Sequence, residues 1–165
     1  MKILLAADGS PFTRIAAHHL VNHIEWFAKA PEIHIVYVHP PMPYPSAAAK
    51  AGKAAVAKYH REESEGALAV AEKVLIRAGV AYTSSWRVGD VTERLAKFVK
   101  DHDIDLVVMG SHGHGALANL ALGSVATKCI ARLEVPIMIV RKSPRRKPSV
   151  KRERVAGASP AKPDQ

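Results

Sequence analysis

Residues 110–124 read Gly-Ser-His-Gly-His-Gly-Ala-Leu-Ala-Asn-Leu-Ala-Leu-Gly-Ser. An apolar run, Ile104–Met109, precedes this stretch and reads as a buried strand, while Val125–Leu133 after it reads as a helix. A glycine-rich loop between a strand and a helix start has the makings of a phosphate cradle. Glycine lets backbone approach an anion closely, and the unpaired N–H groups of the first helical turn supply donors and positive potential. Any one of Gly110, Gly113 and Gly123 would pass as a turn glycine. Together they form G-x2-G-x9-G-S, with Ser124 at the helix start, and this spacing favours anion binding.

Two histidines punctuate the loop. His112 and His114, two residues apart, have the spacing of a metal chelate, but no cysteine or acidic cluster accompanies them. Donation by His114 to a phosphate is the better reading, with a charge that would follow pH. The order His-Gly-His differs from the His-x-Gly-His of adenylyl-transferring enzymes, and it follows the fourth strand rather than the first. A Walker A loop is absent. No Ser-His-Asp set or carboxylate pair stands out, so the sequence offers no dedicated hydrolytic apparatus.

The elements that must carry this loop can be read from periodicity. Lys2–Ala7 is a short apolar strand that ends at Asp8. Ser10-Pro11 is a helix start, and apolar residues at spacings of three and four extend that helix to about Ala28. Its histidines His18, His19 and His23 read as a solvated or half-buried face. Ile33–Val38 is apolar on both faces, as in a parallel sheet covered by helices on each side. A proline-rich loop leads to a long helix, Ala47–Ala78, stopped by Gly79. Val80–Val88 alternates as a third strand, Asp90-x-x-Glu93 opens a third helix, and Asp105–Met109 is the fourth strand. Val135–Val140 is the fifth.

This βαβαβαβαβ order implies an α/β fold: one open parallel sheet with right-handed crossovers. The flavodoxin-like order 3-2-1-4-5 places strands one and four side by side. The crevice at the switch point then lies above their C-terminal ends. Asp8 closes strand one and Gly110 opens the loop after strand four, so the two polar loops are expected to meet there. Asp8 either caps the first helix and its Asp-Gly-Ser turn or takes part in the site.

Composition sets the outer limits. The chain has 165 residues, enough for one domain with a core, and 48% are hydrophobic. No apolar run approaches a membrane span, and the first apolar stretch is too short for a signal-peptide core. A cytoplasmic protein is expected. Cys129 is the only cysteine, so no intrachain disulfide forms. It shares a helical face with Val125, Ile130 and Leu133 and reads as a small core residue, with a reactive thiol as the alternative. The net charge of +9 belongs to the tail: residues 141–165 carry nine cations and two acids, leaving them at +7 and the body at +2. Four of the eleven prolines also lie there. Such a segment cannot offset its ordering entropy by burial, so residues 142–165 are expected to be disordered. It either solubilises the chain or contacts polyanions.

The string DLVVMGSHGHG…LGSVATK, the opening KILLAADGS and the strand VPIMIV together resemble the universal stress protein family, in the branch that binds ATP. The resemblance covers residues 1–141, leaving 142–165 as a separate basic tail. It implies an adenine-nucleotide α-hydrolase-like fold in which the glycine backbone and the Ser124 hydroxyl hold the triphosphate, with Val125 just behind. By the same resemblance Ala6 lines the adenosine pocket, Val38 gives a backbone contact to adenine, and Met109 forms an apolar wall. Asp8 lies at the nucleotide, with Mg2+ bridging to the phosphates or with the ribose. The ligand would be ATP, or ADP or AMP, and the family's homodimers often pair the strand corresponding to Val135–Val140 across a two-fold. The expected function is nucleotide sensing by a small stress-response regulator. The alternatives are a slow ATPase or nucleotidyl-transfer enzyme, and a polyanion-binding adaptor acting through the tail.

Overall fold

A computed structural model describes residues 1–41, 52–115 and 122–142. The expectations for the tail, for the first residues of the long helix and for part of the glycine loop lie outside those residues. Five parallel strands form one sheet in the order β3-β2-β1-β4-β5, as the sequence implies. They are β1 (Lys2–Ala7), β2 (Glu32–His39), β3 (Thr83–Val88), β4 (Leu106–Gly110) and β5 (Ile137–Val140). The helices are α1 (Pro11–Asn22), α2 (Lys53–Arg77), α3 (Val91–Asp101) and α4 (Ser124–Arg132).

Strand alternation sends the buried residues to two cores. Ile3 and Leu5 of β1, with Leu106 and Val108 of β4, pack against Ala16, Ala17 and Leu20 of α1 and Leu68, Ala71 and Leu75 of α2. On the opposite face Leu4, Val36, Val107 and Met109 meet Leu95, Phe98 and Val99 of α3 and Ala126 and Cys129 of α4. β1 and β4 are therefore covered on both sides, which fixes the height at which their C-terminal loops emerge. Ala6 pairs with Met109 in register, so the last residues of both strands end level.

The boundaries differ from the sequence reading where side chains or prolines intervene. α1 stops at Asn22, well short of Ala28. The ring Nδ1 of His23 lies 2.7 Å from the His19 carbonyl, which the His23 amide would otherwise occupy. That amide turns instead to Leu20, and a single 3-10 turn, Ile24–Trp26, follows. The helix-one histidines behave as expected of a solvated or half-buried face: His18 is exposed, and His19 and His23 are half-buried.

α2 ends at Arg77 with Gly79 at φ +66°, where a side chain would be strained. Val80 N–H donates to Leu75 and Gly79 N–H to Ile76, the paired bonds of a glycine-terminated helix. Val80 is thus spent on the helix end, and β3 begins only at Thr83 rather than at Val80. β5 begins at Ile137 rather than Val135 because Pro136 has no N–H; its carbonyl still accepts from Val107. Cys129 is fully buried, as expected of a core residue, and burial and then the Asp90 charge push its thiol up. Val125 and Ile130, however, do not share its face: both are exposed. Among the described residues no helix is long and apolar enough to cross a membrane.

Candidate functional site

The turn after β1 is built by its own side chains. Asp8 Oδ1 accepts from the Ser10 amide at 2.9 Å and from the Thr13 hydroxyl at 2.6 Å, while Thr13 Oγ1 accepts from the Asp8 amide at 2.9 Å. Ser10 is the N-cap of α1, its Oγ accepting from Phe12 and Thr13. Of the roles expected of Asp8, the structuring of the Asp-Gly-Ser turn is the one these bonds make. One carboxylate oxygen structures the Asp-Gly-Ser turn, and the other, Oδ2, lies against Gly113 of the loop after β4.

That loop is fitted to its surroundings by the absence of side chains. A Cβ placed on Gly113 would strike Asp8 Oδ2. One on Gly110 would lie 2.6 Å from the Phe12 Cβ, and one on Gly123 3.2 Å from the His112 Cα and 3.3 Å from the Ser111 carbonyl. The Gly123 amide donates to Ser111 at 2.8 Å, closing the loop's two ends on each other. Gly123 is the N-cap of α4, and among the described residues no side chain caps that helix end. The amides of its first turn, on Ser124, Val125 and Ala126, have no partner within the helix itself.

The histidines take different places. His114 Nε2 lies 2.8 Å from the Asp8 carbonyl and must donate to it, tying the glycine loop to the turn after β1. His112 Nδ1 lies 3.0 Å from the hydroxyl of buried Ser111, and its ring packs tilted against Phe12 at 5.2 Å.

Between these loops opens a cleft of about 540 Å³, within the range typical of small-ligand sites. Every residue singled out from the sequence lines it. Ala6, Val38 and Met109 form an apolar floor; Asp8, Gly110, Gly113 and His114 form one rim; Gly123, Ser124 and Val125 form the other. The sequence reading missed Thr13, Tyr37, Pro40 and Val91, which also line the cleft. Thr13 was within reach, since a hydroxyl three residues after the Ser10 N-cap is placed to face the Asp8 carboxylate. Tyr37 and Val91 carry no local signal, because only the sheet order brings β2 and the start of α3 to this point. Burial, then Glu63, Tyr59 and Asp8, push the Tyr37 phenol up, so it stays neutral near pH 7.

Among the described residues no cluster of three or more His, Cys, Asp or Glu could hold a metal by itself. Asp8 alone supplies one carboxylate, which suits a Mg2+ completed by phosphate oxygens and water rather than an all-protein cage.

The universal stress protein family model matches residues 1–141. Universal stress protein MJ0531 of Methanocaldococcus jannaschii is 28% identical over 141 residues, which span 86% of this chain and 82% of that protein. The solved structure of MJ0577, from the same organism, superposes with a TM-score of 0.73 at 26% identity, over 87% of this chain and 96% of that one. More distant structures share the fold with ligands present. A universal stress protein in complex with cAMP gives a TM-score of 0.60 at 23% identity, over 87% of this chain and 98% of that one. An Arabidopsis thaliana family protein with AMP bound gives 0.61 at 14%, over 87% and 92%. An Archaeoglobus fulgidus protein in complex with dAMP gives 0.60 at 15%, over 85% and 97%. The match over residues 1–141, with the sheet order and switch-point loops just described, places this chain in the universal stress protein family.

Proposed function

We propose that this protein binds ATP, or another adenine nucleotide, in the cleft between the turn after β1 and the loop after β4, and that occupancy regulates a cytoplasmic homodimer in a stress response. The observation that carries the reading is the division of the cleft into an apolar floor and a glycine-lined rim at the start of α4. Adenine needs flat apolar contact, which Val38 and Met109 offer. Phosphates need backbone donors at close range, which Gly113 and the first turn of α4 offer. The relatives' complexes with cAMP, AMP and dAMP support an adenine nucleotide as the ligand class. The Ser124 hydroxyl, at the first helical position, would add a donor to the terminal phosphates. Mg2+, when bound, would neutralise phosphate charge from Asp8 Oδ2, the carboxylate oxygen that faces the glycine loop.

The dimer would form through β5. It is an edge strand of the sheet, its Ile137, Met138 and Ile139 are only partly covered, and its side chains carry no charge. Such an edge invites strand pairing with a second copy. Placing a charge there with Ile139→Lys should give monomer in light scattering, and a wild type that is monomeric at micromolar concentration contradicts the dimer. The ligand is tested by mass analysis of whatever nucleotide leaves the purified protein on denaturation. An adenine nucleotide near equimolar with protein is expected. Failure to detect or bind any adenine nucleotide, even on adding ATP, overturns the reading.

A further inference from the structure

We propose that His19 and His23, one turn apart at the end of α1, form a binding site for a borderline divalent transition-metal ion of the zinc, nickel and copper class. Histidines at i and i+4 of a helix stand on one face, one above the other, and two imidazoles so placed can share one ion. The two rings are already side by side, with centroids 4.2 Å apart and planes inclined by 35°. The pair is remote from the cleft. α1 starts at Pro11, beside the Asp8 turn, and the histidines sit at its other end, about 12–18 Å along the axis. The proposal therefore stands apart from the nucleotide reading.

The surroundings prepare both rings as ligands. His23 Nδ1 lies 2.7 Å from the His19 carbonyl oxygen, which can only accept, so Nδ1 carries a hydrogen. In the neutral ring the lone pair is then on Nε2, which points away from that carbonyl. A ligating histidine commonly donates its other nitrogen to a backbone carbonyl or carboxylate, because that bond fixes the tautomer and the orientation of the ring. Trp26 packs on both imidazoles, its centroid 4.1 Å from that of His23 and 5.8 Å from that of His19, and limits their rotation. Burial, and then the neighbouring His23, hold the His19 ring below the ordinary histidine range, so near pH 7 it is neutral and offers a lone pair. Both histidines are half-buried, which leaves an ion a path from solvent.

The donor type sets the class of ion. Imidazole nitrogen suits zinc, nickel and copper, whereas Mg2+ and Ca2+ take oxygen. Two protein ligands make an open site, with water in the remaining positions. His23 is the C-cap of α1, so the ion would clip the last helical turn to its cap, at the point where the 3-10 turn Ile24–Trp26 takes over.

The chain has nine histidines, so the test must read an ion at this pair and not elsewhere. Cu2+ is the probe, since it binds such ligands most tightly of the class. It is titrated into the full-length protein without added nucleotide while tryptophan fluorescence is followed, because a paramagnetic ion beside Trp26 quenches that ring. Trp26→Phe assigns the signal by leaving Trp86 as the single tryptophan. Wild type should show quenching that saturates near about one equivalent, and Trp26→Phe should not show it. His19→Gln and His23→Gln should each raise the midpoint about tenfold or more, as one imidazole is left where two shared the ion. Glutamine at position 23 can still donate to the His19 carbonyl, so the loss there reports ligation and not a frayed helix end. His18→Gln removes an exposed imidazole next in sequence but off the shared face, and should stay within about twofold of wild type. An unchanged midpoint in His19→Gln and His23→Gln overturns the proposal. So does an equal loss in His18→Gln, which would reduce the site to surface imidazoles collecting ions. Quenching that never saturates, or that persists in Trp26→Phe, places the ion elsewhere and overturns it as well.

Discussion

The two loops that form the cleft reach their positions by opposite means. The turn after β1 is short and locked by polar side chains: Asp8, Ser10 and Thr13 satisfy one another and the backbone around them. The loop after β4 is long and placed by what it lacks. Gly110 lies against Phe12, Gly113 against the Asp8 carboxylate and Gly123 against the backbone of Ser111 and His112, each where a Cβ would crowd its neighbour. One loop is a fixed frame and the other is fitted to that frame. Among the described residues, the second leads into a helix start, the first turn of α4, that no side chain caps. A ligand-binding surface made of amides needs both. Without the frame the glycine loop would have no defined distance from β1, and without the glycines the frame would face a wall of side chains.

Breaking the fitted side should have the largest effect. Gly113→Val puts a branched side chain into the Asp8 carboxylate, which cannot retreat because Ser10 and Thr13 hold it. Adenine-nucleotide affinity should fall by about a hundredfold or more, as expected when donors are displaced by an ångström or so. Circular dichroism should still report a folded chain, because neither core contains Gly113. A variant with wild-type affinity would show that the loop and the frame need not meet.

Breaking the frame should act more on stability than on binding. Thr13→Val keeps the volume of this buried side chain but removes the hydroxyl that both accepts from the Asp8 amide and donates to its carboxylate. A loss of about 1–3 kcal/mol is expected in urea denaturation, the cost of leaving such groups unsatisfied. Affinity should fall by about tenfold or less, since Ser10 still holds Asp8. If Thr13→Val costs binding as much as Gly113→Val does, the distinction between frame and fitted loop is wrong.

How much of this arrangement could be read from the sequence depended on whether the signal was local. The strand order and the coincidence of Asp8 with Gly110 at the switch point followed from five apolar runs separated by helical ones, and those patterns are dense in this chain. The N-caps Ser10 and Asp90 and the stop at Gly79 were legible because each works within a few residues of itself. The ends of α1, β3 and β5 were misjudged for reasons just as local but chemical rather than periodic. A histidine ring took a carbonyl, a helix cap took Val80, and a proline withheld an amide. The cleft residues suggested by family resemblance do surround one cavity. Two of those that were missed, Tyr37 and Val91, arrive from β2 and α3 through tertiary assembly, which no short window contains. The same holds for the hydrogen bond from His114 to the Asp8 carbonyl, which spans the whole distance between the two loops.

The smallest effect should come from the basic tail, which supplies +7 of the chain's charge yet belongs to neither loop. A chain ending at Arg141 should bind ATP within about twofold of the full-length protein. Any affinity of the full-length protein for DNA should fall steeply with salt and be lost on truncation. Loss of ATP binding on truncation would extend the site beyond the two loops.

The most direct test of the central claim is a calorimetric titration of ATP into the wild type and into Gly123→Val. A Cβ at Gly123 presses on the backbone of Ser111 and His112, at 3.2 Å from the His112 Cα, and the branched side chain beyond it enters the rim of the cleft. The account predicts near-stoichiometric binding by the wild type and none measurable by the variant, with both proteins folded. Equal affinity in the two would contradict it, because the nucleotide would then be held somewhere other than the glycine loop after β4.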